Sequence, residues 1–218
     1  LPRLQAVVGL RLERFTIDFL NNRTGVRLEN TDQLLSPRAG LVFKPIDQVS
    51  TYFSYSTSYV PRAGEQLGSL SLTNRSLDPE EFTNYEIGAK WDVRRDLALT
   101  AAIYRLDRSN VVAPDPADAT KSVLVDGQRA RGVELGFTGR LSKDWSVAGG
   151  YAYQDGEILA TQSATILAGA RLAQLPRHTL SLWNRYDFNK RWGVGAGVIY
   201  RDAIFASTDN TVKLPGFG

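Results

Sequence analysis

The sequence has no cysteine and no methionine, and only one histidine, His178. Without cysteine there are no disulfides, no thiolate metal sites and no cysteine nucleophile. One histidine cannot build a histidine-rich metal cluster and supplies at most one imidazole base. The lack of methionine, initiator included, is what a mature chain or a fragment would show. Long apolar runs are missing too. Ala6-Val7-Val8 and Leu41-Val42-Phe43 are among the longest, far short of the roughly 18 residues a membrane helix needs. The start Leu1-Pro2-Arg3-Leu4 has no charged segment leading into an apolar core and a small-residue cleavage site, so no signal peptide is read there. Charge of one sign is scarce: 26 Lys+Arg against 23 Asp+Glu leave +3 over 218 residues, too little to argue for nucleic acid. As averages, these values describe an ordinary soluble domain.

The order of the residues says otherwise. Tyr85, Ile87, Ala89, Trp91 and Val93 alternate with Glu86, Gly88, Lys90 and Asp92. In a strand successive side chains point to opposite faces, so this is one apolar face and one polar face. The same alternation runs through Gln5–Glu13, Val49–Tyr59, Gly132–Leu141, Asp144–Gln154 and Trp192–Arg201. Further strands are read, less cleanly in places, at Arg38–Lys44, Asp96–Arg108 and His178–Phe188. The pattern predicts about nine strands of about 9–12 residues and no helix.

The connections alternate as well. Short turns are read at Pro45–Gln48, Arg94–Arg95, Ser142–Asp144 and Asn189–Arg191. Long polar segments are read at Asp18–Pro37, Val60–Glu80, Ser109–Arg129, Gly156–Pro176 and Asp202–Lys213. One tightly turned rim and one long-looped rim is the asymmetry of bacterial outer-membrane barrels. A soluble β-sandwich also alternates. Strand length favours the barrel, since about nine to eleven residues cross a bilayer at a tilt. So do the aromatics near strand ends (Tyr59, Tyr85, Trp91, Trp145, Tyr153, Trp192 and Tyr200) and the small opposite faces Ser54/Ser56/Ser58 and Gly193/Gly195/Gly197. Nine strands do not close a bacterial single-chain barrel, which needs an even number. Leu214–Gly218 reads as the approach to a further strand.

Catalytic constellations are weak. Asp78-Pro79-Glu80-Glu81 gathers carboxylates, but beside a proline before a strand it reads as a solvated loop cluster; Asp115 and Asp118 around Pro116 read likewise. Gly193-Val194-Gly195-Ala196-Gly197 lies inside a strand, not in the turn before a helix that a phosphate cradle requires. His178 follows Pro176 at a strand start and reads as structural. No serine has a nucleophile-elbow context. No enzyme, catalytic residue or resident metal is expected.

Four motifs in order carry a family resemblance. Asn84-Tyr85-Glu86-Ile87-Gly88-Ala89-Lys90-Trp91 resembles a strand signature of TonB-dependent outer-membrane receptors. Arg131-Gly132-Val133-Glu134-Leu135 with Trp145-Ser146-Val147 and Tyr151-Ala152-Tyr153 is similar to a second hairpin of that family. Leu175-Pro176-Arg177-His178-Thr179-Leu180-Ser181-Leu182-Trp183 resembles its path into a later strand, and Asn210–Phe217 the approach to the penultimate hairpin region. The resemblance covers nearly the whole chain, with the ferric-siderophore branch, catecholate type, the nearest in character. It implies an all-β, antiparallel up-and-down transmembrane barrel in the bacterial outer membrane, of which residues 1–218 would supply about 9–10 of about 22 strands. The plug domain and the N-terminal segment that contacts TonB would be absent from this stretch, as would the family's terminal strand ending in an aromatic residue. The implied partners are a ferric siderophore, outer-membrane lipid and TonB; iron enters as siderophore-bound substrate, and no cofactor or nucleic acid is implied. Anionic chelates with catechol ligands suit arginine forks and aromatic faces. The candidate ligand-facing residues, at the lumen or loop bases, are Arg62, Tyr104, Arg108, Gln154, Arg177 and Arg201. The rival readings are another outer-membrane barrel (porin or translocator), a soluble β-sandwich binding module and, more distantly, a glycan hydrolase.

Overall fold

A computed structural model describes residues 3–61, 77–115, 117–118 and 121–218. It is built from antiparallel strands: β1 (Leu4–Leu20), β2 (Arg27–Ile46), β3 (Val49–Val60), β4 (Glu80–Arg94), β5 (Leu97–Ser109), β6 (Val111–Pro114), β7 (Ser122–Val125), β8 (Gln128–Ser142), β9 (Trp145–Ile158), β10 (His178–Asp187), β11 (Gly193–Arg201), β12 (Ile204–Phe205) and β13 (Lys213–Leu214). Nine form one sheet in the order β1-β2-β3-β4-β5-β8-β9-β10-β11. All nine correspond to strands read from the alternation. The remaining four pair as the small hairpins β6-β7 and β12-β13 inside two of the long connections.

Register fixes the faces, because directly opposed residues share a side. One rung reads Phe53↔Ile87↔Ile103↔Val133↔Tyr153↔His178. Next to it, and on the other side, runs Ser54↔Glu86↔Tyr104↔Gly132↔Gln154. The first face is apolar yet open: Val8, Leu10, Phe53, Ile87, Ile103, Leu135 and Val198 are all exposed. A contiguous apolar surface of this extent marks a face covered by lipid or another apolar partner. Aromatics ring it at two levels. Tyr55 and Tyr85 touch near the long-loop end, ring centroids 5.2 Å apart. Trp91, Trp145 and Trp192 stand at the short-turn end. Tyr153 and Trp145, eight residues apart on β9, are about 27 Å apart along the strand, which at a tilt of about 40° is about 21 Å of height, comparable to the apolar band of an outer-membrane barrel.

Turn chemistry sets the short rim. Three of its turns are preceded by register shifts, at Phe43/Ile46, Asp92/Arg94 and Arg140/Ser142. Bulges of this kind bend and twist strands at barrel rims. Asn189 closes the fourth, its carboxamide oxygen accepting from the N–H groups of Arg191 and Trp192.

The expected long polar segment Asp18–Pro37 is instead mostly strand. β1 and β2 stay paired without interruption from Leu4↔Phe43 to Leu20↔Arg27, leaving only residues 21–26 as the turn. The ribbon is held by Ile17 and Leu28 packed with Phe15 and Phe19, and by Arg27 chelating the Asp18 carboxylate. β3 accompanies β2 only up to Arg38↔Ser56. Pro37 follows at once, with no N–H to donate, and the ribbon rises past it as two strands. Glu80 and Glu81 likewise open β4 rather than sitting in a loop.

Candidate functional site

The polar face is furnished by the even positions of β3, β4, β5 and β9. On several rungs a large side chain lies over a glycine of the neighbouring strand. Tyr104, Gly132 and Gln154 occupy one rung on β5, β8 and β9. Strands two apart in a sheet are separated by about 9.6 Å, so Tyr104 reaches Gln154 only by lying over the strand between. Gly132 permits this: a Cβ there would stand 2.8 Å from the Tyr104 ring and 2.5 Å from the carbonyl oxygen of Tyr153. The Tyr104 hydroxyl donates to Gln154 Oε1 at 3.0 Å. Trp183 covers Gly197 in the same way, and Tyr52 covers Gly88, with its hydroxyl donating to Glu86 Oε1 at 2.5 Å. Strand glycines that weaken the backbone thus serve as floors for large neighbours.

Nearer the long loops, Arg108 pairs with Glu80: Nε and Nη2 donate to Oε2 at 2.9 and 2.6 Å. The guanidinium also lies 5.6 Å above the centre of the Phe82 ring, its rung neighbour. Both ionic groups are only partly exposed. One carboxylate oxygen takes both N–H groups, so the remaining donors of the fork stay available to an anionic oxygen. Arg201, at the top of β11, faces the same side through the rung Glu134↔Ala152↔Thr179↔Arg201. Its Nη2 donates to the carbonyl of Gln174 at 3.2 Å.

At β9 and β11 the long-loop connections fold back on the sheet. Ile158, fully buried, ends β9; its N–H donates to Ala170 and the N–H of Leu172 to Gly156. Residues 159–177 therefore fold back on the strand they leave. They are tied to the next loop by Asn210, at φ 58°. Its carboxamide accepts from the Arg171 N–H and donates to the Arg171 carbonyl, both at 2.8 Å.

Of the six candidates, Tyr104, Arg108, Gln154 and Arg201 share the polar face, and Tyr104 and Gln154 are bonded to each other. Arg62 lies outside the described residues. Arg177 is separated from the others. Its Nη2 donates to Asp155 at 3.2 Å, and Asp155 stands opposite Arg131 on the apolar side of the wall. Arg177 precedes β10, so strand parity does not govern where its side chain goes. Phe82, Tyr52 and Glu86 are not among the candidates, though the alternation of β3 and β4 already puts Tyr52 and Glu86 on the polar side; the sequence reads Glu80 only as part of a solvated loop cluster, whereas it opens β4 and pairs with Arg108. Among the described residues no group of three or more His, Asp or Glu could hold a metal ion.

An open antiparallel sheet with an exposed apolar face, a furnished polar face and one elaborated rim is part of a membrane β-barrel wall. Residues 1–218 match the family model for the TonB-dependent receptor-like β-barrel. The chain belongs to that family. The probable TonB-dependent siderophore receptor PiuA of Acinetobacter baumannii is 30% identical over 99% of this chain, and the probable TonB-dependent receptor BfrD of Bordetella pertussis 36% over 84%. The catecholate siderophore receptor Fiu of Escherichia coli K12 is 30% identical over 89%. The crystal structure of the PiuA receptor superposes on the whole chain with a TM-score of 0.87 at 29% identity. This chain spans 31% of PiuA, 25% of BfrD and 26% of Fiu.

Proposed function

We propose that this chain is part of the wall of a bacterial outer-membrane receptor that takes up a ferric siderophore with energy delivered through TonB. The polar face is then the lumen, the apolar face meets lipid, and the long loops face outside the cell. The observation that carries the reading is the polar-face group just below the long loops. Arg108 holds unspent donors over Phe82, and a hydroxyl–carboxamide pair lies deeper at Tyr104 and Gln154. A ferric chelate is large, anionic and rimmed by flat ligands. Arginine forks bind its oxygens, and aromatic rings offer faces to catechols. A catecholate is therefore the favoured ligand class, with Arg201 as a further donor at the rim. The role is transport: the iron is cargo held by its chelator, and no bond is made or broken.

In a strain lacking its other siderophore receptors, the full-length protein should restore uptake of radiolabelled iron offered as a ferric catecholate. Removing TonB should abolish that uptake. No TonB-dependent uptake from a panel of catecholate, hydroxamate and carboxylate siderophores would overturn the assignment.

A further inference from the structure

The apolar face carries an arginine cluster that the lumen group does not explain. At the long-loop end of β5, β8 and β9 two outward rungs are charged: Arg105↔Arg131↔Asp155 and, one step higher, Asp107↔Arg129↔Glu157. Arg105 and Arg131 face each other directly, a placement that costs stability in an antiparallel pair. Arg177 reaches down to the same place. Two aspartates are shared among four arginines. Asp107 takes Arg105 at 2.7 Å and Arg129 at 2.6 Å; Asp155 takes Arg131 at 3.3 Å and Arg177 at 3.2 Å. Glu157, on the upper rung, is the third carboxylate of the group.

What the cluster presents outward is positive. The side chains of Arg105, Arg131 and Arg177 are 50%, 60% and 44% exposed, against 21% and 22% for Asp107 and Asp155. Directly below lies bare hydrocarbon: Ile103, Val133 and Leu135 are exposed, with Tyr153 beside them. Tyr85 stands next to Arg105 in the same rung, at the level of the aromatic girdle. Cationic forks above an aromatic belt and an apolar wall match an amphiphile with an anionic head and acyl chains. Guanidinium groups pair bidentately with phosphate oxygens, and a phosphate between Arg105 and Arg131 would relieve their mutual repulsion.

We infer that Arg105 and Arg131, supported by Arg129 and Arg177, form a docking site on the barrel's outer surface for the phosphate of an outer-leaflet lipid. Its acyl chains lie along Ile103, Val133 and Leu135. The site rests on the same membrane orientation as the receptor reading but lies on the opposite side of the wall from Arg108 and Tyr104.

The full-length receptor in phosphatidylcholine nanodiscs can be titrated with lipid A bearing its phosphates and with the same lipid dephosphorylated. Wild type is expected to prefer the phosphorylated form. R105Q/R131Q should weaken that binding about thirtyfold, at two arginine contacts with an anionic surface. D155N frees two guanidinium groups and should strengthen it about fivefold. A role limited to holding the wall together predicts that both variants lower thermal stability and leave lipid preference unchanged. Equal affinity for the two lipids, or wild-type binding by R105Q/R131Q, overturns the site. If the double variant fails to fold, the sign of the D155N change still decides. Siderophore uptake by R105Q/R131Q should stay at the wild-type level. Loss of all TonB-dependent uptake in the wild type, with lipid binding kept, would instead count against the receptor reading alone.

Discussion

The Tyr104 hydroxyl reaches over Gly132 to bond Gln154 at 3.0 Å, linking β5 to β9 across a strand that contributes no side chain to the rung. Two non-adjacent strands are thereby coupled on the lumen face just where ligand is proposed to pass. Gly132→Ala tests the coupling. The added carbon would meet a backbone oxygen at 2.5 Å and the tyrosine ring at 2.8 Å, so something must shift. Overpacking of this kind costs about 1–3 kcal/mol. The full-length receptor should melt at lower temperature and bind its siderophore more weakly.

Tyr104→Phe removes the bond and keeps the ring. A single neutral hydrogen bond contributes about 0.5–1.5 kcal/mol. The change should therefore leave the melting temperature nearly unaltered, while Gln154 becomes free to turn. A loss of stability as large as that from Gly132→Ala would show that the hydroxyl, not the packing, holds the rung.

Arg108 binds Glu80 through two donors and covers Phe82. Arg108→Lys keeps the charge and loses the planar fork. It should fail to restore the siderophore affinity lost in Arg108→Ala, a loss of about tenfold for one charge-assisted contact. Full rescue by lysine would reduce the role of Arg108 to net charge. Equilibrium binding of the ferric siderophore to purified receptor reads the difference.

The loop that carries Asn210 has an acid limit. The Ser207 hydroxyl donates to Asp209 at 2.5 Å, and the Thr211 N–H and hydroxyl donate at 3.1 and 3.0 Å. Chiefly through Ser207, these bonds hold the Asp209 carboxyl below its ordinary 3.8. A carboxyl with a depressed folded-state pKa adds stability that is fully present above its unfolded value. That stability is lost as pH falls through the folded value. Amide protection in residues 206–212, taken relative to the intrinsic exchange rate at each pH, should hold from neutral pH to about 4 and fall only in stronger acid. Asp209→Asn should remove the acid dependence.

Asn210 joins two loops by bonding both the N–H and the carbonyl of Arg171. Asn210→Ala removes both bonds and leaves a residue poorly suited to φ 58°. Hydrogen exchange should rise in residues 166–172 as well as around residue 210. An increase confined to residues 206–212 would show that the tie does not hold the neighbouring loop.

The strands were legible because their constraint is local. Burying one face and furnishing the other forces period two, and that pattern located all nine strands of the main sheet. The faces of Tyr104, Arg108, Gln154 and Arg201 followed from the same parity. Parity ends where strands end: Arg177 precedes β10 and turned to the apolar side to meet Asp155. Asp18–Pro37 looked like loop because its residues are mostly polar. It is strand because Ile17 and Leu28 pack together across the β1–β2 hairpin, a contact that exists only once the two strands are paired in this register. The reach of Tyr104 over Gly132 was hidden for a related reason. It depends on which residue of β8 lies opposite, and register is set by the whole sheet.

In the proposed receptor one face of this wall meets lipid and the other the lumen. Residues 1–218 contain no cysteine, so single cysteines along β4 can carry nitroxide labels in the reconstituted full-length receptor once any cysteine outside this stretch has been replaced. Accessibility to oxygen, which concentrates in lipid, should alternate residue by residue. It should be high at Tyr85, Ile87, Ala89 and Trp91 and low at Glu86, Gly88 and Lys90. Uniform accessibility, or high values only at the even positions, would contradict the account.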